Sequence, residues 1–130
     1  LALTGEVRLF IGKDEMALPL LLMGGDGLGA SGANVFPELY VSLYRAVRQG
    51  DYEEGKNLQK LIIELCRVTH RGSVPTIKQA LALMGWESGP PIPPLRPMQA
   101  SEDAKLGAEL ASLKERAAQW LTKGGDIESK

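Results

Sequence analysis

The chain has 130 residues, of which 44% are hydrophobic and 24% are charged, a composition typical of a globular domain with its own core. Its 15 basic and 16 acidic side chains leave a formal net charge of -1, which argues against binding to nucleic acid or to an anionic membrane surface. With one cysteine, Cys66, and one histidine, His70, the chain has neither an internal disulfide nor a zinc site built from Cys and His ligands.

The longest apolar run, residues 16–23, is about a third of the length that a bilayer-spanning helix needs, and it contains Pro19. No charged and apolar leader with a cleavage site opens the chain, so we expect a soluble, cytoplasmic protein. The first residue is Leu1 rather than Met, and a strand pattern follows almost at once. We therefore expect that the chain does not begin where its gene begins.

The first third of the chain predicts two βα units. Residues 7–11 are mostly apolar and are bounded by glycines, as in a parallel strand that is covered on both faces. Asp14 is a plausible N-cap for a helix that runs through Met23, and Pro19 within it predicts a late start or a kink. The glycine-rich residues 27–31 follow as a second strand.

The remainder of the chain predicts helices. Pro37 begins one helix and Gly50 ends it, and Asp51 with Glu54 forms a start that resembles a capping box for the next helix. Ser101 is placed to cap the last helix. The predicted helices cover residues 37–49, 51–70, 75–84 and 101–121, and a connector that holds five prolines separates the last two. Because two parallel strands cannot form a stable sheet alone, we expect the chain to be part of a larger fold.

Several segments then point to a known family. They are, in order, FIGKDEMALPLLLMGGDGLGASGANVFPELY, YRAVRQGDYEEGKNLQ, VPTIKQALALMG and GPPIPPLRPM. Together they resemble the C-terminal portion of the dihydrodipicolinate synthase and N-acetylneuraminate lyase family, over residues 10–98. Members of that family are (β/α)8 barrels with extra C-terminal helices, and they act as class I aldolases that hold pyruvate as a Schiff base on a lysine.

The resemblance implies an α/β fold, the C-terminal part of a TIM barrel. Residues 1–50 would form the last two βα units, with residues 7–11 as the seventh strand and residues 27–31 as the eighth. Residues 51–130 would form the C-terminal helical extension. The Schiff-base lysine and the proton-relaying tyrosine of the family belong to earlier strands, so the resemblance assigns no catalytic residue to this chain.

Five residues are implied to bind substrate: Gly12, Asp14, Glu15, Gly29 and Ser31. Gly12 matches the family glycine beside the bound pyruvate, and Gly29 matches the position whose carbonyl faces the pyruvyl group. Without the resemblance, both would be read as turn or packing glycines.

The other three bear on the second substrate. Asp14 and Glu15 fall where lyases of the sialic-acid type bind substrate hydroxyls, although both residues also suit a helix start. Ser31 matches a substrate-contacting serine of those lyases, and the alternative for it is a bond to nearby backbone. Asn34 is expected to cap the following helix.

Four further residues are assigned no function. Lys13 lies one strand too late to be the family's lysine and is expected to stay protonated in solvent. Lys78 is expected to be a surface charge. Cys66 and His70 share a helix face but lack a third ligand nearby.

The resemblance favours a pyruvate-dependent synthase that uses aspartate semialdehyde in lysine biosynthesis. One alternative is an aldolase that cleaves a sugar-derived 2-oxo acid such as N-acetylneuraminate or 2-keto-3-deoxygluconate. The other is a non-catalytic helical module that lacks the lysine. The expected partners are pyruvate or a 2-oxo acid and further copies of the protein in a dimer or tetramer, with no cofactor and no metal.

Overall fold

The computed structural model describes residues 7–69 and 74–121. Predictions that concern Leu1, His70 and the C-terminal tail lie outside these residues. The elements are β1 (Phe10–Ile11), a 3-10 turn (Asp14–Met16), α1 (Ala17–Leu22), β2 (Gly27–Leu28), a second 3-10 turn (Gly32–Asn34), α2 (Pro37–Gln49), α3 (Tyr52–Thr69), α4 (Val74–Leu83) and α5 (Ala100–Leu121).

Strands β1 and β2 are parallel, as predicted, with Phe10 opposite Gly27 and Ile11 opposite Leu28. Both are shorter than the predicted strands. In the described chain each strand pairs only with the other, and this pairing covers two positions on each. The prediction that both faces are covered is wrong here, since Phe10 is 62% exposed.

The start of α1 differs from the prediction. Asp14 does not cap this helix, because its carboxylate instead accepts hydrogen bonds from Ser31 N and Gly32 N. The helix begins only at Ala17, and Pro19 therefore falls in the first turn, where its missing N–H costs nothing. The late start that Pro19 predicts is confirmed. At the other end Gly24 has a φ of 87° and terminates the helix.

Both ends of α2 and the cap at the start of α3 agree with the predictions. Pro37 is the first residue of α2, and Gly50 ends it with a φ of 77°. The carboxylate of Asp51 accepts a hydrogen bond from Glu54 N at 3.0 Å at the start of α3. The last helix, α5, begins one residue before the predicted cap, so Ser101 lies inside its first turn.

Helices α2, α3 and α5 pack around a continuous apolar core that joins residues on both sides of Gly50. The most deeply buried large apolar side chains are Leu39, Leu43, Leu58, Ile62, Leu65 and Leu113. Helix α3 contributes three of them, because its apolar stripe recurs every three or four residues and faces both α2 and α5. No helix in the described chain is long and apolar enough to cross a membrane.

Candidate functional site

The carboxyl ends of β1 and β2 meet at one edge, and the loops that leave them lie side by side. A Cβ atom built on Gly12 would stand 3.9 Å from the carbonyl oxygen of Gly29, and one built on Gly29 would meet no described atom within 4 Å. Both residues are exposed. Bare backbone from two neighbouring loops therefore lines this edge, which is the working end of parallel strands in a barrel.

Asp14 connects the two loops. One carboxylate oxygen, Oδ2, accepts hydrogen bonds from Gly32 N at 2.9 Å and from the Tyr40 hydroxyl at 2.8 Å, and Oδ1 accepts one from Ser31 N at 3.3 Å. The residue is 1% exposed. Because the protein's own donors occupy this carboxylate, the structure gives no support to a contact between Asp14 and substrate hydroxyls. The contacts assign Asp14 to holding the second loop against the first.

Gln59 of helix α3 binds the loop that carries Asp14 and the first turn of α1. The side-chain oxygen of Gln59 accepts a hydrogen bond from Leu18 N at 2.7 Å, and its Nε2 donates to the carbonyl oxygen of Asp14 at 3.2 Å. Burial, together with the nearby carboxylates of Asp14 and Glu15, raises the pKa of the Cys66 thiol to about 12. Cys66 is therefore protonated at neutral pH.

Tyr40, on α2, is the third group that donates a hydrogen bond to the Asp14 carboxylate. Burial and the hydrogen bond to Asp14 raise the pKa of its hydroxyl well above the usual range, so that it donates to the carboxylate at any physiological pH. A Cβ atom on Gly32 would collide with this hydroxyl and would lie 3.0 Å from the Asp14 carboxylate. Glycine is therefore required at position 32 by close approach.

Gln59 and Tyr40 were not predicted from the sequence as parts of this site. For Gln59 the sequence held an indication of a buried polar contact, because this polar residue lies next to the apolar stripe of α3. The structure shows that Gln59 is buried there. Tyr40 resembled an ordinary core aromatic residue in the stripe of α2. A tyrosine of that kind needs a hydrogen-bond partner when buried, but its sequence position does not identify the partner.

The other predicted residues lie at the edge. Glu15 is partly buried, and its Oε2 atom has no hydrogen-bond partner among the described residues. Ser31 is also partly buried, and its carbonyl accepts a hydrogen bond from Asn34 Nδ2 at 2.9 Å. The predicted capping role of Asn34 is wrong, because no side chain caps α2. Lys13 is exposed, as expected. Among the described side chains, no group of three His, Cys, Asp or Glu residues could hold a metal ion.

Comparison with known proteins identifies the family. A model of the dihydrodipicolinate synthetase family matches residues 3–113. The chain belongs to this family. The resemblance seen in the sequence is thus confirmed, and the α/β fold matches part of the barrel of these enzymes, with most of the matched chain helical.

Three relatives illustrate the similarity. A 4-hydroxy-tetrahydrodipicolinate synthase from Methanopyrus kandleri is 41% identical over 109 residues, which cover 81% of this chain and 35% of the relative. A 2-dehydro-3-deoxy-D-gluconate/2-dehydro-3-deoxy-phosphogluconate aldolase from Thermoproteus tenax is 32% identical over 111 residues, covering 84% and 36%. A crystal structure of a putative dihydrodipicolinate synthase from Thermus thermophilus superposes with a TM-score of 0.78 at 32% identity, covering 92% and 41%. The chain thus spans little more than a third of the curated relatives.

Proposed function

We propose that this chain is the C-terminal part of a pyruvate-dependent class I aldolase or synthase. In this assignment residues 1–50 are the last two βα units of the barrel, and residues 51–130 are the helical extension. The observation that carries the proposal is the parallel strand pair, which brings the bare backbone of Gly12 and Gly29 together at one edge. A side chain at either position would occupy the space that a small 2-oxo acid needs.

The chemistry would begin on a lysine that residues 1–130 do not supply. Its amine attacks the ketone carbon of pyruvate and water leaves, which forms a Schiff base. Loss of a methyl proton gives an enamine, and the enamine carbon adds to an aldehyde or imine. In the reverse direction, cleavage of a longer 2-oxo acid generates the same enamine. This chain would contribute space at Gly12, the carbonyl oxygen of Gly29, and polar contacts from Glu15 and Ser31.

For the second substrate we favour aspartate semialdehyde, so that the complete protein would be a synthase of lysine biosynthesis. The 41% identity to a synthase supports this choice. Cleavage of a sugar-derived 2-oxo acid remains the rival, supported by the aldolase relative and by Ser31. Burial of Asp14 weakens the rival, because donors of the protein itself occupy that carboxylate and only Glu15 of the acidic pair remains for substrate hydroxyls. We further propose that the complete protein is a cytoplasmic dimer or tetramer.

Reductive trapping tests this function. The product of the complete coding sequence is incubated with pyruvate and borohydride and then analysed by peptide mass spectrometry. We expect a reduced pyruvyl adduct on a lysine that precedes Leu1. An adduct on Lys13 would overturn the assignment of this site.

The same experiment separates the enzyme from a non-catalytic helical module. If the complete coding sequence starts at Leu1 and its product forms no adduct, the module becomes the better explanation. The synthase and the aldolase are then distinguished by supplying pyruvate with aspartate semialdehyde to one sample and 2-keto-3-deoxygluconate alone to another. The proposed synthase consumes pyruvate in the first sample and releases none in the second.

A further inference from the structure

A cavity of about 640 Å³ lies between helix α4 and the connector that leads to α5. Gln79 and Ala82 of α4 line one side of it. Three prolines of the connector line the other side, namely Pro90, Pro91 and Pro97. Trp86 lines the same cavity and is 67% exposed. The cavity therefore places a large exposed indole beside several proline rings.

Hydrogen bonds that do not involve the indole fix the chain on both sides of Trp86. Trp86 N donates to the carbonyl oxygen of Leu81 at 2.9 Å, directly after Gly85 ends α4 with a φ of 89°. Lys78 Nζ donates to the carbonyl oxygen of Ser88 at 2.6 Å, and the Ser88 hydroxyl donates to the carbonyl oxygen of Lys78 at 3.1 Å. The expectation that Lys78 is a plain surface charge is therefore wrong, since the side chain is partly buried. Trp86 is thus held in a fixed position before any partner binds, which lowers the entropy cost of binding.

No packed face of α4 covers this cavity in the described chain. Ala80 lies in the core that α4 shares with α3 and α5, and Ile77 faces the loop after β2. The cavity lies on a third side of the helix, and this part of the chain exposes further apolar side chains. They are Leu83 at the end of α4, and Ile92 and Leu95 in the connector. Exposed apolar surface of this extent is typical of an interaction site.

The cavity holds both halves of a complementary contact. Proline rings pack well on aromatic rings, which is how aromatic-lined grooves bind proline-rich segments. Two copies related by a two-fold axis meet through the same patch, so Trp86 of each copy would lie on the prolines of the other. The lining also holds one carboxylate, Glu87, and one ammonium, Lys78, and neither forms an ion pair within the described chain. A two-fold axis would place each of these charges beside its opposite.

We propose that this cavity is a contact between two copies of the protein, with Trp86 of each copy packed against the connector prolines of the other. The proposal names a surface for the oligomer proposed above and rests on that part of the proposed function alone. One indole buries about 150 to 250 Å². The two indoles and the prolines under them thus account for less than the about 1,200 to 2,000 Å² of a standard interface. We therefore expect this contact to dissociate on dilution.

Light scattering after gel filtration, applied to a dilution series of the product of the complete coding sequence, tests this contact. Trp86→Ala should raise the dissociation constant by at least about thirtyfold, the change that corresponds to the about 2 kcal/mol of an interface hot spot. Trp86→Glu places a carboxylate against the apolar patch and should halve the mass at concentrations where the original protein is associated. Trp86→Phe retains an aromatic ring and should dissociate between the original protein and Trp86→Ala.

Two further variants test the charges and the specificity of the effect. Glu87→Lys brings like charges together across the axis and should weaken association, and 1 M salt should recover part of this loss by screening. Tyr52→Glu is the matched control, because it replaces an aromatic side chain that is 52% exposed at the start of α3. It should leave the mass unchanged. Circular dichroism should be the same for all variants, since the hydrogen bonds around Trp86 do not use its indole.

A monomeric original protein at every concentration, or an unchanged mass in Trp86→Glu, would overturn the proposal. If residues that precede Leu1 cover the indole instead, Trp86→Glu lowers the melting temperature without changing the mass, which also overturns it. Failure of the aldolase has a different signature. A mass that depends on Trp86, combined with no pyruvyl adduct in the original protein, would retain the contact and reject the aldolase. An adduct combined with a mass that does not depend on Trp86 would do the reverse.

Discussion

Helix α3 packs on two sides, and the two sides are stabilised differently. Towards the loops it contacts a buried polar cluster, which we call the loop junction and define as Asp14, Gly32, Tyr40, Gln59 and Cys66. Towards α5 it presents an apolar face, and two polar contacts among the described residues lie at its rim. These rim contacts join Arg116 to Glu64 and Trp120 to Glu54.

The loop junction fixes the position of the site loops, whereas the α3–α5 face mainly adds stability. Buried polar groups are costly unless their partners are in place, so the loop junction has one satisfactory arrangement and fixes the site loops in it. The α3–α5 face gains its stability from apolar area, which tolerates small shifts. We therefore expect substitutions in the loop junction to be more damaging than polar substitutions at the α3–α5 rim.

The largest effect is expected for Asp14→Ala. It leaves Ser31 N, Gly32 N and the Tyr40 hydroxyl without their acceptor, and each such loss costs about 1 to 3 kcal/mol. Urea denaturation should therefore show a loss of at least about 3 kcal/mol in the free energy of unfolding. Asp51→Ala is the control, because it removes an exposed capping carboxylate and should cost about 1 kcal/mol. Equal losses in the two variants would refute the special role of the loop junction.

The next largest effect is expected for Gly32→Ala. The added methyl group collides with the Tyr40 hydroxyl, and such overpacking costs about 1 to 3 kcal/mol. In thermal denaturation, Gly32→Ala should therefore cost less in a Tyr40→Phe background, which lacks the colliding hydroxyl, than in the original protein. Gly107→Ala on α5 is the matched control, since the nearest atom to its Cβ would be 3.9 Å away, and this helical variant should be neutral or stabilised.

A third prediction concerns alkaline pH. The pKa of Cys66 is 9.0 as an ordinary thiol and about 12 in the fold, so between these values the folded state holds a proton that the unfolded state has released. This contribution to stability is complete below pH 9 and disappears as the pH rises towards 12. The melting temperature should therefore fall above pH 9, and it should fall less steeply in Cys66→Ala. Identical slopes in the two proteins would contradict the placement of Cys66.

The smallest effect is expected at the α3–α5 rim. Arg116 and Glu64 have side chains that are 50% and 38% exposed, and pairs of this kind contribute about 0 to 1 kcal/mol. The arginine lowers the pKa of Glu64, so the contribution is present at neutral pH and is lost in acid. Arg116→Ala should therefore change the urea midpoint slightly, and 1 M salt should reduce the difference further. A loss as large as that of Asp14→Ala would remove the contrast between the two regions.

Both ends of α2 and the start of α3 were predictable from the sequence because their signals are local. Pro37, Gly50 and the pair Asp51 and Glu54 act within one turn of their own helix, so their roles follow from neighbours in the chain. Even so, the carboxylate of Glu54 does not complete a capping box. It accepts a hydrogen bond from Trp120, 66 positions away, which no local pattern could indicate.

The sequence by itself determined the family, the order of the elements and the positions of Gly12, Glu15, Gly29 and Ser31 after two parallel strands. The tertiary structure decided what Asp14 and Lys78 do. Asp14 is a residue type that commonly caps helices, but the groups that donate hydrogen bonds to its carboxylate lie 17 to 26 positions further along the chain. Lys78 is held by a connector that the sequence presents as a proline-rich spacer. Both roles depend on buried polar groups finding partners, and packing alone determines which partners lie within reach.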